Sequence, residues 1–296
     1  MQKDRVVSPV FLLIAVAFFA SFYFFGLYRQ EIAERVAAQA LSQELKAREE
    51  LFDALPVTAS TVLVYDYTSE NIIYAKNPFE PKPLASLAKL ATAFVSLETL
   101  DVSEIVSVDS NTTDTFGETQ FMSGEKWVIE DLIDVLLVTS SNIAADILMD
   151  FPPTIPYFPR LKFMNTSGLD EDRGETKIPG ATGSAYDITR LAGRLATQYP
   201  ERVRATTYEF NNFDIGTRVY HAKNTNEWIS KMPNLVFSKT GYTNLAGGNL
   251  IVGYYAENGH LIIITVLGST KEGRFEDVYL LLEAVRVLFP QNQSVI

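Results

Sequence analysis

A chain of 296 residues, 47% hydrophobic and 21% charged, has the composition of a globular protein and not of a disordered one. It contains no cysteine and only two histidines, which excludes a thiol nucleophile, a disulfide framework and a histidine-rich metal site. The formal net charge of −11 argues against binding nucleic acid, whose phosphates require a basic surface.

The N-terminal segment predicts a membrane anchor. Val6–Tyr28 is a run of 23 residues without a charged side chain. About 20 apolar residues span the core of a bilayer, whereas the apolar core of a cleaved signal peptide has about 7–15. We therefore expect residues 1–28 to form a cytoplasmic stub and an uncleaved transmembrane signal anchor. Because Lys3 and Arg5 precede the run, the positive-inside rule places the rest of the chain on the extracytoplasmic side of the cell membrane.

Residues 29–55 predict a helical stalk or linker. The segment contains neither Gly nor Pro, and Glu31 precedes Arg35 by four residues, an arrangement that stabilises helices. Pro56 cannot continue the helix. Residues 56–296 are then expected to form a single globular domain.

The order of the elements predicted in this domain indicates its fold class. Strands at both ends of the domain enclose a helical middle part, which predicts an α+β fold with an antiparallel sheet from both chain ends and an inserted helical region. The predicted elements are the strands Thr61–Tyr67 and Asn71–Lys76, the helix Ser86–Leu100, a short strand Val106–Val108, a helical region Trp127–Asp150 with a break near Ser140, the helix Ile188–Gln198, the strands Leu235–Lys239, Asn249–Tyr255 and His260–Leu267, and an amphipathic helix from Phe275 to Phe289.

The first of three short motifs is Ser86-Leu-Ala-Lys89, which opens an apolar helical segment. A spacing of three residues places the serine hydroxyl and the lysine amine on one helix face. A serine hydroxyl needs an adjacent base to act as a nucleophile, and a buried lysine held neutral can serve. The structural alternative is a helix cap and a surface cation. A second copy of this spacing, Ser123-Gly-Glu-Lys126, is better explained as a solvated turn.

The second motif, Ser140-Ser-Asn142, interrupts an apolar helical region. Polar side chains there either face a cleft or form a turn between helices. In a cleft, Ser140 would relay a proton to a leaving amine, and Asn142 would hold the substrate amide and orient Lys89. A decoy with the same spacing, Ser69-Glu-Asn71, lies in the predicted hairpin turn.

The third motif, Lys239-Thr-Gly241, stands between two apolar strands. Lys239 supplies positive charge and Thr240 a hydroxyl, which together suit a substrate carboxylate. Gly241 lets a peptide lie close to the strand edge. The backbone N–H groups of Tyr242 and Ser86 could form an oxyanion hole. The structural alternative is a strand end followed by a turn.

The order S-x-x-K, S-x-N, K-T-G marks active-site serine penicillin-interacting enzymes. Flanking segments such as Asn165-Thr-Ser-Gly-Leu169 and Ala246-Gly-Gly-Asn-Leu250 extend the likeness. Over roughly residues 58–290 the chain resembles the D-alanyl-D-alanine carboxypeptidase family, the low-molecular-mass penicillin-binding proteins. The resemblance implies a beta-lactamase/DD-peptidase-like fold.

By this resemblance, Ser86 would be the acylated nucleophile and Lys89 its base. Ser140 and Asn142 would complete the active-site network, while Lys239 and Thr240 would bind the terminal carboxylate. The expected substrate is a peptidoglycan stem peptide ending in D-Ala-D-Ala, with beta-lactams as covalent inhibitors of Ser86. The resemblance implies neither a metal nor an organic cofactor.

Three features depart from the family pattern. The middle residue of the second motif is Ser141, where glycine is usual, and we expect this to be tolerated. Where relatives often carry an arginine that helps hold the substrate carboxylate, the best match here is Thr225. The sequence ends just after the closing helix, so the N-terminal segment is expected to replace the C-terminal anchor of some relatives.

Three alternative functions remain at this point, and a Ser-His-Asp enzyme is disfavoured. A DD-endopeptidase of the same family would acylate the same serine. A class A beta-lactamase needs a further glutamate for deacylation, for which only Glu171 and Glu175 are available, in an unsuitable local sequence. A non-catalytic penicillin or muropeptide sensor would need no turnover. A Ser-His-Asp enzyme would have to use His221 or His260, which are both expected to be structural or surface residues.

Overall fold

The computed structural model describes residues 9–109, 121–148, 155 and 158–289. Parts of two predicted segments, residues 6–8 and 149–150, lie outside these ranges, as do Lys3 and Arg5. The chain divides into two compact units between Asp53 and Ala54.

The first unit contains one long helix, α1 (Pro9–Asp53), of 45 residues. It includes residues 29–53 of the predicted stalk 29–55 and ends three residues before Pro56. On its surface, Arg35 Nη2 lies 2.7 Å from Glu31 Oε1. Within the described residues, no helix reaches the length and hydropathy that crossing a bilayer requires. The transmembrane anchor therefore stays a prediction.

The second unit combines helices and strands in the predicted order. Its α-helices are α2 (Lys89–Thr99), α3 (Ile129–Thr139), α4 (Asn142–Leu148), α5 (Ala185–Gln198), α6 (Pro200–Arg204) and α7 (Gly273–Leu288). Its strands are β1 (Thr61–Asp66), β2 (Asn71–Lys76), β3 (Lys82–Pro83), β4 (Ile105–Ser107), β5 (Lys126–Val128), β6 (Lys162–Phe163), β7 (Glu171–Arg173), β8 (Thr176–Ile178), β9 (Ala181–Gly183), β10 (Phe210–Asp214), β11 (Val219–Lys223), β12 (Leu235–Thr243), β13 (Gly247–Tyr255) and β14 (Leu261–Ser269). Short 3₁₀ helices cover Ala85–Ala88, Ala205–Thr207 and Ile229–Lys231.

The central sheet has five antiparallel strands in the order β12-β13-β14-β1-β2. Thr61 at the start of β1 pairs with Leu267 of β14, so strands from both chain ends meet at the centre of the sheet. This confirms the predicted α+β architecture. Every residue of β1 and all but one residue of β14 are buried, which requires cover on both faces. Helix α7 packs against β13 and β14, and α5 packs against β14 and β1.

The inserted helical region contacts the sheet through α5. Helix α2 in turn packs against α3 and α5. The start of α5 is fixed by Ser184, whose hydroxyl accepts a hydrogen bond from the backbone N–H of Asp187 (3.1 Å) and donates one to its carboxylate (2.6 Å). The edge strand β12 passes along the helical region and lies against the 3₁₀ helices Ala85–Ala88 and Ala205–Thr207. This contact creates the cleft in which the three motifs meet.

Two local predictions need correction. Trp127 was expected to begin a helix, but it lies in β5 and pairs with Val106 of β4. Its ring packs at 5.1 Å from the ring of Phe121 and 5.0 Å from that of Tyr220, and this buried aromatic cluster outweighs the local helical pattern. Ser86 was expected in an α-helix, but it lies in the 3₁₀ helix that precedes α2.

Candidate active site

Ser86 and Lys89 lie together at the start of α2. Lys89 Nζ is 3.1 Å from Ser86 Oγ, because residues three apart in a 3₁₀ helix are stacked over one another. Ser86 is half-buried and faces the cleft, whereas Lys89 is fully buried. The preceding residue, Ala85, has a left-handed φ of 48°, a strained conformation for a non-glycine residue. An accessible hydroxyl is thus held beside a desolvated amine by a locally strained turn.

The amine of Lys89 also contacts oxygens of other segments. It lies 2.8 Å from Asn142 Oδ1 and 2.9 Å from the backbone oxygen of Ser167. A neutral amine has two N–H bonds and one lone pair, so the N–H bonds can point to these two oxygens while the lone pair faces Ser86 Oγ. The geometry therefore fits a lysine that accepts the serine proton.

Ser140 occupies the break between α3 and α4. Its backbone is left-handed, with φ 62° and ψ 31°, and this turn directs its hydroxyl toward β12, where Lys239 Nζ donates to Ser140 Oγ at 2.8 Å. The neighbouring Ser141 has a different role, because its hydroxyl accepts a hydrogen bond from the backbone N–H of Ala144 and caps α4. The substitution of glycine by Ser141 in the motif thus adds a helix cap.

Lys239 is 1% exposed and also donates to the backbone oxygen of Thr240 at 3.0 Å. Burial, together with the charges of Lys89 and Arg274, holds the pKa of the Lys239 amine well below its usual range. The sequence predicted a fixed positive charge at this position. The structure instead places there an amine that gives up its proton easily.

Thr240 and Thr225 lie side by side, with Thr240 Oγ1 donating to Thr225 Oγ1 at 2.7 Å. The loop that carries Thr225 is anchored by Asn224, whose side-chain amide donates to the backbone oxygens of Thr206 and Tyr208. The residue that aligns with the arginine of relatives is therefore next to the expected carboxylate site. It provides a hydroxyl and no charge.

Gly241 lies against the nucleophile segment. A Cβ at this position would be 3.0 Å from the backbone oxygen of Leu84 and 3.2 Å from the backbone nitrogen of Ser86. A side chain here would require the neighbouring backbone to move by a few tenths of an ångström, so glycine favours the close approach of β12 to the nucleophile segment. The backbone N–H groups of Ser86 and Tyr242 consequently belong to adjacent segments, as an oxyanion hole needs.

Two groups at the site were not assigned from the sequence. Arg274 of α7 is 7% exposed and donates through Nη1 to the backbone oxygen of Gly241 at 2.7 Å. Burial lowers the pKa of Arg274, and its Nε lies buried without a hydrogen-bond partner among the described residues. The sequence contains one indication of a special role for Arg274. A cation in the first turn of a helix is unfavourable, because it opposes the helix dipole, and so needs another explanation. The second group, the backbone oxygen of Ser167, has no side-chain signature.

The remaining predicted residues lie elsewhere. Ser123 is exposed beside Gly124, which has a φ of +83°, as expected for a turn. His221 Nδ1 is 2.6 Å from Asn212 Oδ1 on the β10–β11 hairpin, and His260 Nδ1 is 2.7 Å from Asp66 Oδ2. Both histidines thus have structural contacts, in agreement with the prediction.

The alternative glutamates also have other contacts. Glu171 Oε1 accepts a hydrogen bond from Asn165 Nδ2 at 2.9 Å, and Glu175 is exposed between β7 and β8. In the described part of the chain, no group of three or more His, Cys, Asp or Glu side chains is placed to hold a metal ion.

Comparison with known proteins identifies relatives of this arrangement. The sequence model of the D-alanyl-D-alanine carboxypeptidase family matches residues 47–153 and 160–271, which is more than half of the chain. A D-alanyl-D-alanine endopeptidase of Escherichia coli is 26% identical over 291 residues, covering 94% of this chain and 87% of the relative. A D-alanyl-D-alanine carboxypeptidase of Haemophilus influenzae is 28% identical over 261 residues, covering 81% of this chain and 64% of the relative.

Solved structures show the same fold. A penicillin-binding protein of Listeria monocytogenes, crystallised in its cefotaxime-bound form, is 27% identical and superposes with a TM-score of 0.64. The match covers 78% of this chain and 98% of that protein. More than three quarters of this chain is therefore similar in structure to a penicillin-binding protein solved with cefotaxime bound.

Proposed function

The chain belongs to the D-alanyl-D-alanine carboxypeptidase family, and we propose that it removes the terminal D-alanine from peptidoglycan stem peptides through an acyl-enzyme on Ser86. The observation that carries this proposal is the buried amine of Lys89, 3.1 Å from an accessible serine hydroxyl. In such a pair the serine hydroxyl is the nucleophile, and the buried lysine amine is the base that activates it.

Acylation begins when Lys89 accepts the proton of Ser86 Oγ, as Oγ attacks the carbonyl carbon of the penultimate D-alanine. Asn142 and the Ser167 carbonyl hold the amine in place throughout. The backbone N–H groups of Ser86 and Tyr242 stabilise the negative charge on the carbonyl oxygen. When the C–N bond breaks, the leaving amine takes a proton from Lys239 through the Ser140 hydroxyl, which Lys239 contacts at 2.8 Å. Before deacylation, the proton on Lys89 passes through solvent to Lys239, so that the Lys89 amine is neutral again. Lys89 then takes a proton from the attacking water and returns it to Ser86 Oγ as the ester bond breaks.

The substrate carboxylate is bound by the Lys239-Thr-Gly241 segment of β12. Thr240 donates a hydrogen bond from its hydroxyl, and Arg274 supplies positive potential, to which Lys239 adds while it carries its proton. Gly241 keeps the strand close enough for the scissile bond to reach Ser86. Peptide groups of the substrate pair with the free edge of β12, the end strand of the central sheet, whose neighbour in that sheet is β13.

Beta-lactams are expected to acylate Ser86 by the same steps, since their strained amide occupies the position of the scissile bond. Sustained hydrolysis of the drug is not expected. Glu171 and Glu175, the glutamates considered for activating a deacylating water, are engaged with Asn165 or exposed between strands. This supports a penicillin-binding peptidase over a class A beta-lactamase.

A DD-endopeptidase is the second candidate, and the observation that favours it is the Escherichia coli relative, which bears that name and covers 94% of this chain. Both activities use the same acyl-enzyme on Ser86. They differ in the leaving group, which is a single D-alanine for the carboxypeptidase and a second stem peptide for the endopeptidase.

The proposal includes a position at the cell membrane. Residues 6–28 would anchor the chain as a single-pass segment, supported by their uncharged composition and by the preceding Lys3 and Arg5. The catalytic domain would then lie on the extracytoplasmic side, where peptidoglycan is found.

The experiment that tests the function uses the full chain purified in detergent. We expect catalytic release of D-alanine from a diacyl-Lys-D-Ala-D-Ala peptide, labelling by a fluorescent penicillin, and loss of both in Ser86→Ala. Ser123→Ala, in the exposed decoy motif, is the matched control and should keep both activities. Labelling without D-alanine release, together with cleavage of cross-linked muropeptides, would establish the endopeptidase instead. A wild-type protein that neither labels nor turns over would refute the assignment of Ser86.

A further inference from the structure

The segment Asn165–Glu171, termed the bridging loop, directly contacts Lys89, the proposed catalytic base. The backbone oxygen of Ser167 accepts a hydrogen bond from Lys89 Nζ at 2.9 Å, and that of Thr166 accepts one from Thr92 Oγ1 at 2.8 Å. The loop is therefore attached to two consecutive turns of the helix that begins at Lys89. One of these attachments is the amine that accepts the serine proton.

The bridging loop is internally cross-linked by Asn165. Its Oδ1 accepts hydrogen bonds from the backbone N–H of Gly168 (2.7 Å) and the hydroxyl of Ser167 (3.2 Å), and its Nδ2 donates to the backbone oxygen of Leu169 (3.0 Å). Gly168 has a φ of +76°, and a Cβ there would lie 2.0 Å from the backbone oxygen of Ala85. The loop is thus a stiff unit pressed against the residue before the nucleophile.

The other end of the bridging loop is fixed to the substrate-binding strand by Asp170. Its Oδ1 accepts a hydrogen bond from Thr243 Oγ1 at 2.9 Å, and its Oδ2 accepts one from the backbone N–H of Leu245 at 3.2 Å. Thr243 is the last residue of β12, two positions beyond Gly241, and its hydroxyl also accepts from the N–H of Ala246. Among the described residues, no cation forms an ion pair with Asp170.

Asp170 consequently joins two parts of the site that come from distant parts of the chain. A stiff loop held at both ends transmits a displacement of one end to the other. If the contact with β12 is lost, the Ser167 carbonyl is free to move from Lys89, and the end of β12 is free to move from the nucleophile. Small displacements of reacting groups have large effects on rate, about a hundredfold for a shift of about 1 Å.

We propose that Asp170 is a positioning residue for acylation, which fixes the bridging loop to the end of β12 and so holds the Ser167 carbonyl against the Lys89 amine. The inference rests on the proposed acylation of Ser86. Asp170 touches neither substrate nor the reacting atoms. Its effect on the reaction passes through Ser167 on one side and through Thr243 on the other.

The test compares Asp170→Ala and Asp170→Asn with a control carboxylate. Asp66 is suited to this role, because its Oδ1 accepts from the backbone N–H groups of Thr68 (3.0 Å) and Ser69 (3.1 Å) in a turn three strands away from β12. The saturating rate constant for acylation by a fluorescent penicillin is measured on the full chain, well below the Tm of every variant. Asp170→Ala is expected to lower this rate constant about tenfold, and Asp170→Asn less, since an amide oxygen can still accept one of the two hydrogen bonds.

The pH profile separates positioning from general destabilisation. The Ser167 carbonyl favours the charged ammonium of Lys89 over the neutral amine, so loosening the loop should move the acid limb of acylation to lower pH in Asp170→Ala. Asp66→Asn should lower Tm and leave both the rate constant and the acid limb unchanged. A rate constant and acid limb in Asp170→Ala equal to those of the wild type would overturn the proposal.

The partner on β12 provides a second test. Thr243→Val removes the hydroxyl that contacts Asp170, and its loss of rate should not add to that of Asp170→Ala in the double variant. Full additivity would refute the direct link. If the wild-type protein is itself not acylated, the proposed function fails, and the inference fails with it. An active wild type with inert Asp170 variants would refute the inference alone.

Discussion

Lys89 and Lys239 are both buried, and the amine of each lies within hydrogen-bonding distance of a serine hydroxyl. Two ammonium groups so placed would repel each other, and loss of solvent adds to this cost. The depressed pKa of Lys239 is the expected result. In the proposed mechanism, the two serine–lysine pairs accept and return protons, which is the work that histidine performs in a Ser-His-Asp triad.

The replacement of an arginine by Thr225 predicts weak binding of the substrate carboxylate. We expect Thr225→Arg to lower KM for a peptide ending in D-Ala-D-Ala by about tenfold, because a guanidinium beside Thr240 can form a charge-assisted hydrogen bond with the carboxylate. The measurement is steady-state release of D-alanine, and kcat should change little.

Thr225→Gln is the control for this prediction, since it adds bulk and hydrogen-bonding groups without charge. A similar fall in KM with Gln would show that the charge is not responsible. An unchanged KM with Arg would show that the carboxylate lies elsewhere.

Among the elements, the break between α3 and α4 has the clearest effect on the site. Helix α3 ends in the left-handed residue Ser140, and α4 begins with the capping hydroxyl of Ser141. The side chain of Ser140 points into the cleft, whereas that of Ser141 points to the backbone of α4. The adjacent serines therefore have separate contacts: Ser140 with Lys239, where proton transfer is proposed, and Ser141 with the N-terminus of α4.

This division predicts the outcome of Ser141→Ala. Loss of the cap should lower the free energy of unfolding by about 1 kcal/mol, with little effect on the rate of acylation by penicillin. Urea denaturation and penicillin labelling measure the two quantities.

Ser184→Ala provides the comparison, because Ser184 caps α5 away from the three motifs. It too should lower stability and leave acylation unchanged. A large loss of acylation in Ser141→Ala at unchanged stability would instead place Ser141 in the reaction.

The strands β12, β13 and β14 could be predicted from the sequence, because they are apolar runs with clear turns, such as the one at Gly259 with a φ of +79°. The hairpin β10–β11 was missed, since its first strand, Phe210–Asp214, consists largely of polar residues. The break at Ser140 was predicted from polar residues within an apolar region. Trp127 was misassigned because its strand depends on contacts with Phe121 and Tyr220, which local sequence does not reveal.

The motif residues of the site could be predicted because each motif is short and has characteristic spacing. The contacts of Arg274 and of the Ser167 carbonyl could not be predicted, since both are tertiary, although a cation in the first turn of a helix marks Arg274 as unusual. Arg274 lies 33 positions beyond Gly241, whose carbonyl it binds. A backbone oxygen is present in every residue, and only the fold shows which one faces Lys89.

On the scale of the whole molecule, the ionisation of Asp134 makes the free energy of unfolding depend on pH. It lies on α3, 8% exposed, and its Oδ1 is buried with no partner among the described residues. Arg202 approaches its other oxygen at 3.3 Å but is closer to Glu130 at 2.6 Å. Burial outweighs the attraction of Arg202, and the nearby Asp131 and Glu130 add repulsion, so the pKa of Asp134 rises to about 7.

Because the folded protein holds this proton more tightly than the unfolded chain, the contribution of Asp134 to stability is greatest below pH about 4 and falls as pH rises to about 7. We expect Asp134→Asn to remove this loss and to be more stable than the wild type above pH 7 by about 1 to 3 kcal/mol. Thermal unfolding of both proteins across this range measures the difference, which should shrink toward low pH. A lower Tm of the variant at pH 8 would show that the ion pair with Arg202 dominates.

The pairing of Thr61 with Leu267 has a consequence for the time course of biosynthesis. A ribosome makes Ser86 and Lys89 long before it makes β12 or β14, and β1 has only β2 as a neighbour until β14 emerges. Joining segments about 200 residues apart is slow compared with forming local hairpins and helices. The nascent chain thus carries Ser86 and Lys89 without their partners until the strand that contains Lys239 and Thr240 has been made. The proposed active site is complete only after β12 and β14 have joined the sheet.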